Sequence, residues 1–250
     1  MNTIARKYVD REFFKTWTEE MSYILGYIVA DGCVYKRKDR KDSYVLNITS
    51  KDRDHLASIN KSLHSDYPIS IKYNSQRMPY SQIQISNLEI CRDLMKLGIF
   101  PRKTSNLNPI KVPEKYLSDF VRGFFDGDGT VYMYKVNGVT QIKAGFVSVN
   151  YSFLNHFNIN LCKSLGILPK SIHQELPKNN RILVKYRIDF YISDCEKLSK
   201  YLYKNNPTLY LPRKRRIFES WESKPRRHYI KKNYPSKIGW HLNQQVSILN

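Results

Sequence analysis

The sequence predicts an α+β protein built from two similar halves, each with the element order α-β-β-α-β-β-α. Three observations support this fold class. A short apolar motif ending in Asp-Gly occurs twice, a similar series of strands and helices follows each copy, and a stretch with two prolines and no periodicity separates them. Because an internal repeat indicates a duplicated structural unit, the two motifs define the two halves.

The repeated motif reads ILGYIVADGCVY at 24–35 and VRGFFDGDGTVY at 121–132, with a constant spacing of 97 residues between the copies. The identical positions include Gly26 and Gly123, Asp31 and Asp128, Gly32 and Gly129, Val34 and Val131, and Tyr35 and Tyr132. Each copy is predicted to lie in a helix, which starts at Thr18 in the first half and at Pro113 in the second. The glycine after each aspartate is expected to end its helix in a left-handed conformation.

Period-two alternation predicts four strands in each half, and helical patterns predict the helices between and after them. In the first half the strands are expected at 33–37, 43–49, 68–73 and 80–86, and the helices at 51–63 and directly after Ser86. In the second half the strands are expected at 130–135, 140–148, 170–176 and 181–192, and the helices at 150–165 and 193–204. A Ser-Asp pair is the expected N-terminal cap of the last helix.

Three segments follow from this organisation. The N-terminal half is expected to span residues 15–105, the C-terminal half 106–222, and a basic C-terminal extension 223–250. The linker between the halves is expected at 99–112, where two prolines interrupt the periodic pattern.

The aspartate at the end of each repeated helix is unusual, because a carboxylate there faces the negative end of the helix dipole at a cost of about 0.3–1 kcal/mol. Small residues precede both acids, namely Gly26 and Ala30 in one copy and Gly123 and Gly127 in the other. The small residues form a stripe along each helix. If the two stripes face one another, Asp31 and Asp128 lie close together at the end of a tight helix interface. Two carboxylates there would repel each other unless they share a proton or a metal. The alternative is that both are solvated aspartates on separate surfaces.

These two stretches, ILGYIVADG at 24–32 and VRGFFDGDG at 121–129, resemble the paired signature helices of the LAGLIDADG homing endonucleases of the single-chain, double-motif type. The resemblance extends over about residues 15–222, because the predicted element order fits in both halves. Val29 replaces the first acid of the family signature in the first copy, whereas Asp126 retains it in the second.

The resemblance implies that the signature helices pack at a pseudo-twofold interface and that the antiparallel sheets form a DNA-binding saddle. It implies a double-strand break in a long asymmetric DNA target by Mg²⁺-dependent phosphodiester hydrolysis, leaving short 3′ overhangs. Mn²⁺ is an alternative cation, and Ca²⁺ is expected to support binding without cleavage. The catalytic and metal-binding acids are then Asp31 and Asp128, with Ala30 and Gly127 assigned to the same metal sites.

The resemblance also implies a basic residue near each scissile phosphate, where it would stabilise developing charge. The similar segments FPRKTSN and LPRKRR pair Lys103 with Lys214 as candidate catalytic residues, and ordinary phosphate binding is the alternative role. Ser50 and Ser148, each at the junction of a strand and a helix, are further candidates for a water network.

Each sheet is expected to pack one face on helices and to present a polar face. The apolar residues expected to face the helices in the first half are Leu46, Ile48, Ile69, Ile71, Ile83 and Ile85. The residues expected to face DNA are Lys36, Asn47, Thr49, Ser70, Lys72, Gln82 and Gln84 in the first half, and Gln141, Lys143, Lys185, Arg187 and Asp189 in the second. Such side chains read base edges in a major groove that is wide enough for a β-ribbon. Any sheet in contact with solvent shows similar alternation.

The net charge favours a polyanionic partner. The chain has 42 Lys and Arg against 22 Asp and Glu, a formal charge of +20. Nine of the twenty residues at 213–232 are Lys or Arg, so Arg213 and its neighbours are expected to contact phosphates. A localisation signal or a solvated tail would have the same composition.

Several classes of protein are excluded. No apolar run reaches the roughly 18–20 residues of a membrane-spanning helix, and the N-terminal sequence lacks the apolar core of a secretory signal. The spacing of Cys33, Cys91, Cys162 and Cys195 argues against a zinc ribbon or a disulfide framework. We therefore expect an intracellular protein in a reducing compartment, with no membrane partner. The resemblance to the single-chain type implies a monomer.

The leading hypothesis is a DNA endonuclease whose partner is double-stranded DNA, with its host intron RNA as a second candidate partner. Two alternatives use the same scaffold: an RNA splicing maturase and a non-catalytic DNA-binding protein. The presence of both Asp31 and Asp128 favours cleavage over either alternative.

Overall fold

The computed structural model describes residues 7–38, 43–101, 107–176 and 184–224. Within these residues, each half contains one four-stranded antiparallel sheet with helices packed against it, which confirms the predicted α+β class. The two halves meet through the first helix of each.

The first half begins with α1 (Glu19–Asp31) and ends with α3 (Leu88–Lys96). Between them lie, in chain order, β1 (Gly32–Lys36), β2 (Tyr44–Ser50), α2 (Arg53–Ser62), β3 (Ser70–Tyr73) and β4 (Pro79–Ile85). The sheet order is β1-β2-β4-β3, and all neighbouring strands are antiparallel. The four predicted strands of this half are confirmed to within two residues.

The second half begins with a 3₁₀ turn (Glu114–Tyr116) and α4 (Leu117–Asp128). It continues with β5 (Thr130–Val136), β6 (Val139–Ser148), α5 (Tyr151–Leu165), β7 (His173–Glu175), β8 (Lys185–Tyr191) and α6 (Ile192–Leu202). The sheet order β5-β6-β8-β7 repeats that of the first half, which confirms the predicted duplication. A further helix, α7 (Pro212–Glu222), follows the repeat.

Helix α7 is absent from the predicted element order, because its residues belong to the basic run that is expected to contact phosphate. Lys214, Phe218 and Trp221 nevertheless recur at helical spacing and are buried against the second half. The Phe218 ring lies 5.8 Å from the ring of Phe125 in α4. The part of the predicted extension at 225–250 lies outside the described residues.

The helix starts are confirmed in one case and corrected in two. The Thr18 side chain accepts a hydrogen bond from the Met21 backbone N–H at 3.0 Å and caps α1, as predicted. Pro113 instead precedes the 3₁₀ turn, and α4 begins four residues later. The expected Ser-Asp cap of α6 is wrong, because α6 begins at Ile192 and Tyr191 occupies the capping position.

The predicted left-handed glycines after the two aspartates are wrong. Gly32 has φ −101° and ψ 163°, and Gly129 has φ −72° and ψ 154°, so both are extended. The reason for glycine is steric, because the chain passes directly from helix to strand. A Cβ atom would lie 2.8 Å from Cα of Ile28 at the first position and 2.5 Å from the Phe125 carbonyl oxygen at the second.

The stripes of small residues on α1 and α4 face one another, as predicted. A Cβ atom added to Gly26 would lie 2.1 Å from the Phe120 carbonyl oxygen, and one added to Gly123 would lie 1.9 Å from the Tyr23 carbonyl oxygen. The two helix backbones are therefore in direct contact at both glycines, and α1 with α4 forms the central interface of the protein.

The inward faces of the sheets are formed largely as predicted. Four predicted residues of β2 and β4 are fully buried, namely Leu46, Ile48, Ile83 and Ile85. Ile69 packs against the core from a half-buried position. The prediction for Ile71 is wrong: its side chain is 57% exposed, because β3 is an edge strand whose residues are mostly exposed.

None of the helices in the described ranges is long and apolar enough to cross a membrane. Cys33, Cys91, Cys162 and Cys195 are all free thiols. Burial raises the pKa of Cys91 and of Cys195 to about 12, so both remain protonated at neutral pH.

Candidate active site and nucleic-acid interface

Asp31 and Asp128 are the last residues of α1 and α4. The two helix ends lie side by side, because a Cβ atom on Gly127 would lie 2.2 Å from the Ala30 Cβ and 3.4 Å from Oδ2 of Asp31. Asp31 is half-buried and Asp128 is exposed. This geometry excludes the alternative that the two acids lie on unrelated surfaces.

Each aspartate lines its own pocket. The Asp31 pocket has a volume of about 340 Å³ and is lined by Tyr27, Asp31, Thr49, Ser50, Lys51, Asp52, Asn74, Met78, Pro79, Tyr80, Asp126, Gly127 and Arg213. The Asp128 pocket has a volume of about 240 Å³ and is lined by Val29, Ala30, Leu107, Phe124, Asp128, Val147, Ser148, Val149, Asn150 and Lys185. Each pocket thus combines the last acid of one helix with the next-to-last residue of the other.

A serine supports the rim of each pocket at the turn from strand to helix. Ser50 Oγ accepts a hydrogen bond from the Asp52 backbone N–H at 3.0 Å, and Ser148 Oγ accepts one from the Asn150 backbone N–H at 3.1 Å. The Tyr27 hydroxyl also donates to Ser50 at 3.1 Å. The predicted water-network residues therefore fix the local backbone at equivalent places in the two halves.

The donor sets of the pockets fit Mg²⁺. This ion binds oxygen and commonly uses one or two protein carboxylates, with water and substrate phosphate as further ligands. Among the described residues no group of three His, Cys, Asp or Glu could hold a metal, so neither pocket is a closed all-protein cage. Asp52 and Asp126 add two further carboxylates to the Asp31 pocket, and the buried Oδ1 of Asp126 has no hydrogen-bond partner among the described residues.

Asp126 links the two halves through a buried polar network. Its Oδ2 accepts hydrogen bonds from the Tyr23 hydroxyl at 2.7 Å and from the Leu211 backbone N–H at 2.8 Å. The same hydroxyl lies 3.0 Å from Nε2 of His55. Burial raises the pKa of Asp126 to about 6 and lowers the pKa of His55 to about 4. The imidazole is therefore neutral at pH 7. Because the Tyr23 hydroxyl donates its proton to Asp126, it accepts a hydrogen bond from Nε2–H of His55.

Lys214 lies at the C-terminal end of α4, the helix that ends in Asp128. Its side chain is buried, and Nζ donates to the carbonyl oxygens of Phe125 at 2.6 Å, Asp126 at 2.9 Å, Gly127 at 3.4 Å and Gly129 at 2.6 Å. The ammonium thus caps the C-terminus of α4 and compensates the negative end of its dipole. Burial lowers the pKa of Lys214 to about 8.

Asp31 and Asp128 both act to raise the pKa of Lys214, so its ammonium lies near the two candidate metal-binding acids, and its role beside a scissile phosphate stays a prediction. Its predicted counterpart, Lys103, lies outside the described residues. Two other lysines line the pockets: Lys51 in the Asp31 pocket and Lys185 in the Asp128 pocket. The sequence signal for Lys51 is its place directly after Ser50, and Val149 follows Ser148 at the equivalent position.

No family model matches the chain. Its fold is nevertheless similar to that of the LAGLIDADG homing endonuclease I-GzeII in complex with its DNA target, with a TM-score of 0.54 at 11% identity over 83% of this chain and 89% of that chain. The structure of I-DmoI in complex with DNA and Ca matches with a TM-score of 0.53 at 16% identity over 82% of this chain and 98% of that chain. The chain has the LAGLIDADG homing endonuclease fold.

Two uncharacterized proteins of Methanocaldococcus jannaschii are similar to the chain in sequence. One is 28% identical over 182 residues, which cover 72% of this chain and 60% of the relative. The other is 25% identical over 153 residues, which cover 57% of this chain and 56% of the relative. The chain thus spans less than two thirds of the length of these curated relatives.

In the LAGLIDADG fold of this chain, the outer face of the first sheet contains most of the predicted polar residues. Strand register places Asn47 opposite Gln84, and Thr49 and Ser70 opposite Gln82. These five residues alternate with the buried apolar positions and therefore point away from the helices. Lys72 on the edge strand β3 lies opposite Tyr80 of β4 and is exposed on the same face.

The prediction for Lys36 is wrong in register. Lys36 is two residues after the buried Val34 in β1, so both side chains lie on the helix-facing side of the sheet. There the Lys36 Nζ lies 6.0 Å from the centre of the Tyr44 ring. Tyr35 instead occupies the outer face, where its hydroxyl accepts a hydrogen bond from Gln84 Nε2 at 3.0 Å. The predicted DNA contacts do not include aromatic residues at outer positions, because the alternation of polar and apolar residues does not single them out.

The second LAGLIDADG half presents Gln141, Lys143, Lys185 and Arg187 on its outer face, as their alternation with buried residues requires. Asp189 lies on this face but is only 6% exposed, which does not suit its predicted contact with DNA. Its carboxylate is covered by two cations, Lys143 at 2.9 Å and Arg187 at 3.1 Å.

The outer face of this second sheet also includes three tyrosines that are missing from the predicted contacts. Tyr132 lies opposite Lys143, Tyr134 opposite Gln141, and Tyr191 opposite Lys143 on the other side. The Lys143 ammonium lies 5.1 Å from the centre of the Tyr191 ring. The outer surface is thus both cationic and aromatic.

Arg213 lies at the start of α7 and lines the Asp31 pocket. Its guanidinium forms a two-pronged ion pair with Asp52, with Nε 3.2 Å from Oδ1 and Nη2 3.1 Å from Oδ2. Helix α7 of the second half is therefore tied to the start of α2 in the first half. The basic residues predicted beyond position 224 lie outside the described residues.

Proposed function

We propose that the chain is a monomeric member of the LAGLIDADG homing endonuclease family. It makes a double-strand break in a long asymmetric DNA target by Mg²⁺-dependent hydrolysis and leaves short 3′ overhangs. The observation that supports this most strongly is the pair of pockets, each with the last aspartate of one signature helix beside the next-to-last residue of the other. The solved structures named above that share the fold are complexes with DNA.

The two pockets suit two cleavage events, one on each strand. Asp31 and Asp128 would hold Mg²⁺, with Gly127 and Ala30 beside them. When bound, the metal activates water and stabilises the charge that develops on the phosphate. Lys51 and Lys185 add positive charge at the two pockets, where the leaving oxygen becomes negative.

The outer faces of the sheets hold the duplex. Lysine and arginine side chains position the phosphates, while amide side chains such as Gln82, Gln84 and Gln141 reach base edges in the major groove. The α1–α4 contact already provides a dimer-like arrangement within one chain, so no second copy is required. Sedimentation at micromolar concentration is expected to give the monomer mass.

The proposal is tested by incubating the protein with a randomised duplex library, with Mg²⁺ in one reaction and EDTA in the other. We expect recovery of one family of cut sites with Mg²⁺ and none with EDTA. Asp31→Asn and Asp128→Asn should each abolish double-strand cleavage while DNA binding survives. Asp54→Asn, at an exposed position of α2, is the matched control and should cut like the wild type.

Absence of cleavage at any site, together with tight binding to intron RNA, would refute the endonuclease and favour a splicing maturase. Sequence-specific DNA binding without cleavage would instead favour a regulator on this scaffold. DNA affinity should also fall steeply with salt, because many phosphates are neutralised on binding.

A further inference from the structure

A second cationic concavity, the distal groove, lies at the end of the first sheet that is remote from Asp31. It has a volume of about 720 Å³, and its lining includes Lys7, Arg11, Tyr35, Arg37, Ser70 and Gln84. Strand β1 runs away from the helix end, so Tyr35 lies ~13 Å and Arg37 ~20 Å along the strand from Asp31. The groove is therefore separate from the two pockets.

The N-terminal segment that forms one wall of the groove is fixed in place. The Tyr8 backbone N–H donates to Oδ1 of Asp66 at 2.5 Å, and the Asp66 N–H donates to the Tyr8 carbonyl at 3.2 Å. The Asp10 N–H donates to the Leu63 carbonyl at 3.2 Å, and Val9 between them is only 3% exposed. Lys7 and Arg11 are therefore attached to an ordered wall.

Among the described residues that line the distal groove, Lys7, Arg11 and Arg37 are cationic and none is Asp or Glu. The Lys7 ammonium lies 5.5 Å from the centre of the Tyr67 ring, and Arg11 pairs with Glu89 at 3.6 Å outside the lining. Because both members of that pair are nearly half exposed, the interaction is weak and a phosphate can replace it. Three cations on one concave surface suit a polyanion.

The groove is continuous with the outer face of the first sheet. Tyr35 and Gln84 are hydrogen-bonded to each other and belong both to that face and to the groove, and Ser70 lies opposite Gln82 on the same face. A duplex that lies along the outer face and extends past the ends of β1 and β4 would therefore reach the groove next.

We propose that the distal groove binds the phosphate backbone of the DNA flank beyond the N-terminal half-site. This inference rests on the proposed function, because it assigns further DNA to the same binding surface. Lys7, Arg11 and Arg37 neutralise phosphates there without reading sequence. The footprint on the N-terminal side of the cleavage site is consequently extended by contacts that start outside the repeat.

The test compares the triple variant Lys7→Ala/Arg11→Ala/Arg37→Ala with Lys61→Ala/Lys163→Ala/Lys197→Ala, which removes the same charge from exposed positions on α2, α5 and α6. Affinity for a mixed-sequence 40-base-pair duplex is measured against salt concentration. We expect the slope of log K against log salt to be shallower by about 2–3 in the groove variant and almost unchanged in the control. On the selected cut site, hydroxyl-radical protection should be lost at one end only.

Equal slopes for the two variants, with wild-type DNA binding intact, would overturn the inference and leave the proposed function standing. A wild type that does not bind duplex DNA would overturn both. Loss of affinity only for an RNA hairpin would assign the groove to RNA and also overturn it. If the triple variant unfolds, Arg37→Glu alone is measured, with Lys61→Glu as its control, and a slope shallower by about 1 is expected.

Discussion

The Asp31 pocket and the Asp128 pocket share a frame but differ in charge. The Asp31 pocket contains Lys51, the Asp52–Arg213 ion pair and a further acid, Asp126. The Asp128 pocket has Val149 and Asn150 at the equivalent positions and Val29 where Asp126 would be. Its lining cation is Lys185, from β8.

The two halves therefore share a backbone arrangement but differ in the charged side chains of their pockets. The serine bonds at the two strand-to-helix turns and the glycine contacts between α1 and α4 are nearly identical in the two halves. The charged side chains come from different elements, a turn in one half and a strand in the other. Variants that exchange or remove these groups therefore test whether the two pockets are equivalent in function.

The largest expected effect is on strand-specific cleavage. Lys51→Met and Lys185→Met should each slow cleavage of a different strand by about 10²–10³-fold, because a positive charge beside the phosphate is lost. Nicked product should accumulate, with DNA affinity little changed. Val149→Lys should speed cleavage at the Asp128 pocket by placing a lysine where the other half has one.

End-labelled duplex and single-turnover kinetics separate the two strands in this experiment. Lys61→Met, at an exposed position of α2, is the control and should cut both strands at the wild-type rate. If both pocket-lysine variants slow the two strands equally, the lysines do not act locally and the comparison fails.

A second difference between the halves is His55, whose equivalent in α5 is Phe153. Burial lowers the pKa of His55 from 6.5 to about 4, so the folded state binds fewer protons than the unfolded state. Its contribution to stability is complete above pH 6.5 and is lost as the pH falls towards 4, by about 3 kcal/mol. As the pH falls from 7 to 4, the free energy of unfolding of His55→Phe should therefore rise by about 3 kcal/mol relative to that of the wild type.

Urea unfolding at a series of pH values measures this gain. Asp126, whose pKa is raised to about 6, shifts stability in the opposite direction over part of the range, but it does so in both proteins. The difference between the variant and the wild type therefore reports mainly on His55, together with the change that the variant makes to Asp126 through the shared Tyr23 hydroxyl. Two stability curves that stay parallel with pH would show that the imidazole does not titrate as described.

The helix interface should behave symmetrically, in contrast to the pockets. Gly26→Ala and Gly123→Ala each force a methyl group into a carbonyl oxygen of the facing helix. Each should lower the free energy of unfolding by about 1–3 kcal/mol or more, and by similar amounts. Lys163→Ala, on an exposed face of α5, should change it by less than about 0.5 kcal/mol. Thermal unfolding of the three variants decides whether the interface is as symmetric as its contacts.

The smallest effect is expected for the ion pair at the rim of the Asp31 pocket. Because Arg213 is more than half exposed, its pair with Asp52 should contribute only about 0.2–1 kcal/mol to stability. A double-mutant cycle with Asp52→Asn and Arg213→Gln measures this coupling. A coupling well above 1 kcal/mol would mean that α7 is held to α2 more firmly than its exposure allows.

The fold could be predicted from the sequence to the level of individual strands. Period-two alternation located β2 and β4, because the buried Leu46, Ile48, Ile83 and Ile85 alternate with polar outer residues over most of both strands. The small-residue stripes predicted the α1–α4 contact, because only glycine permits carbonyl approach at these distances. The end positions of the two aspartates followed from the same alignment of the repeat.

Features that depend on long-range packing could not be predicted. The hydrogen bonds of Lys214 could not be predicted from its local basic sequence, because the helix end that it caps is 85 or more residues away along the chain. The orientation of Lys36 depended on register at a strand end, and the exposure of Ile71 depended on which strand lies at the edge. Lys51 and Lys185 line the same pockets as the two aspartates only in the folded chain, with both sheets assembled.

The central claim is that each aspartate serves one DNA strand. The most direct measurement is single-turnover cleavage of a selected duplex, labelled on either strand, by Asp31→Asn and Asp128→Asn in Mg²⁺. The account predicts that each variant nicks one strand, that the two variants nick opposite strands, and that both bind DNA as the wild type does. Two variants that nick the same strand, or a variant that still makes the double-strand break, would contradict it.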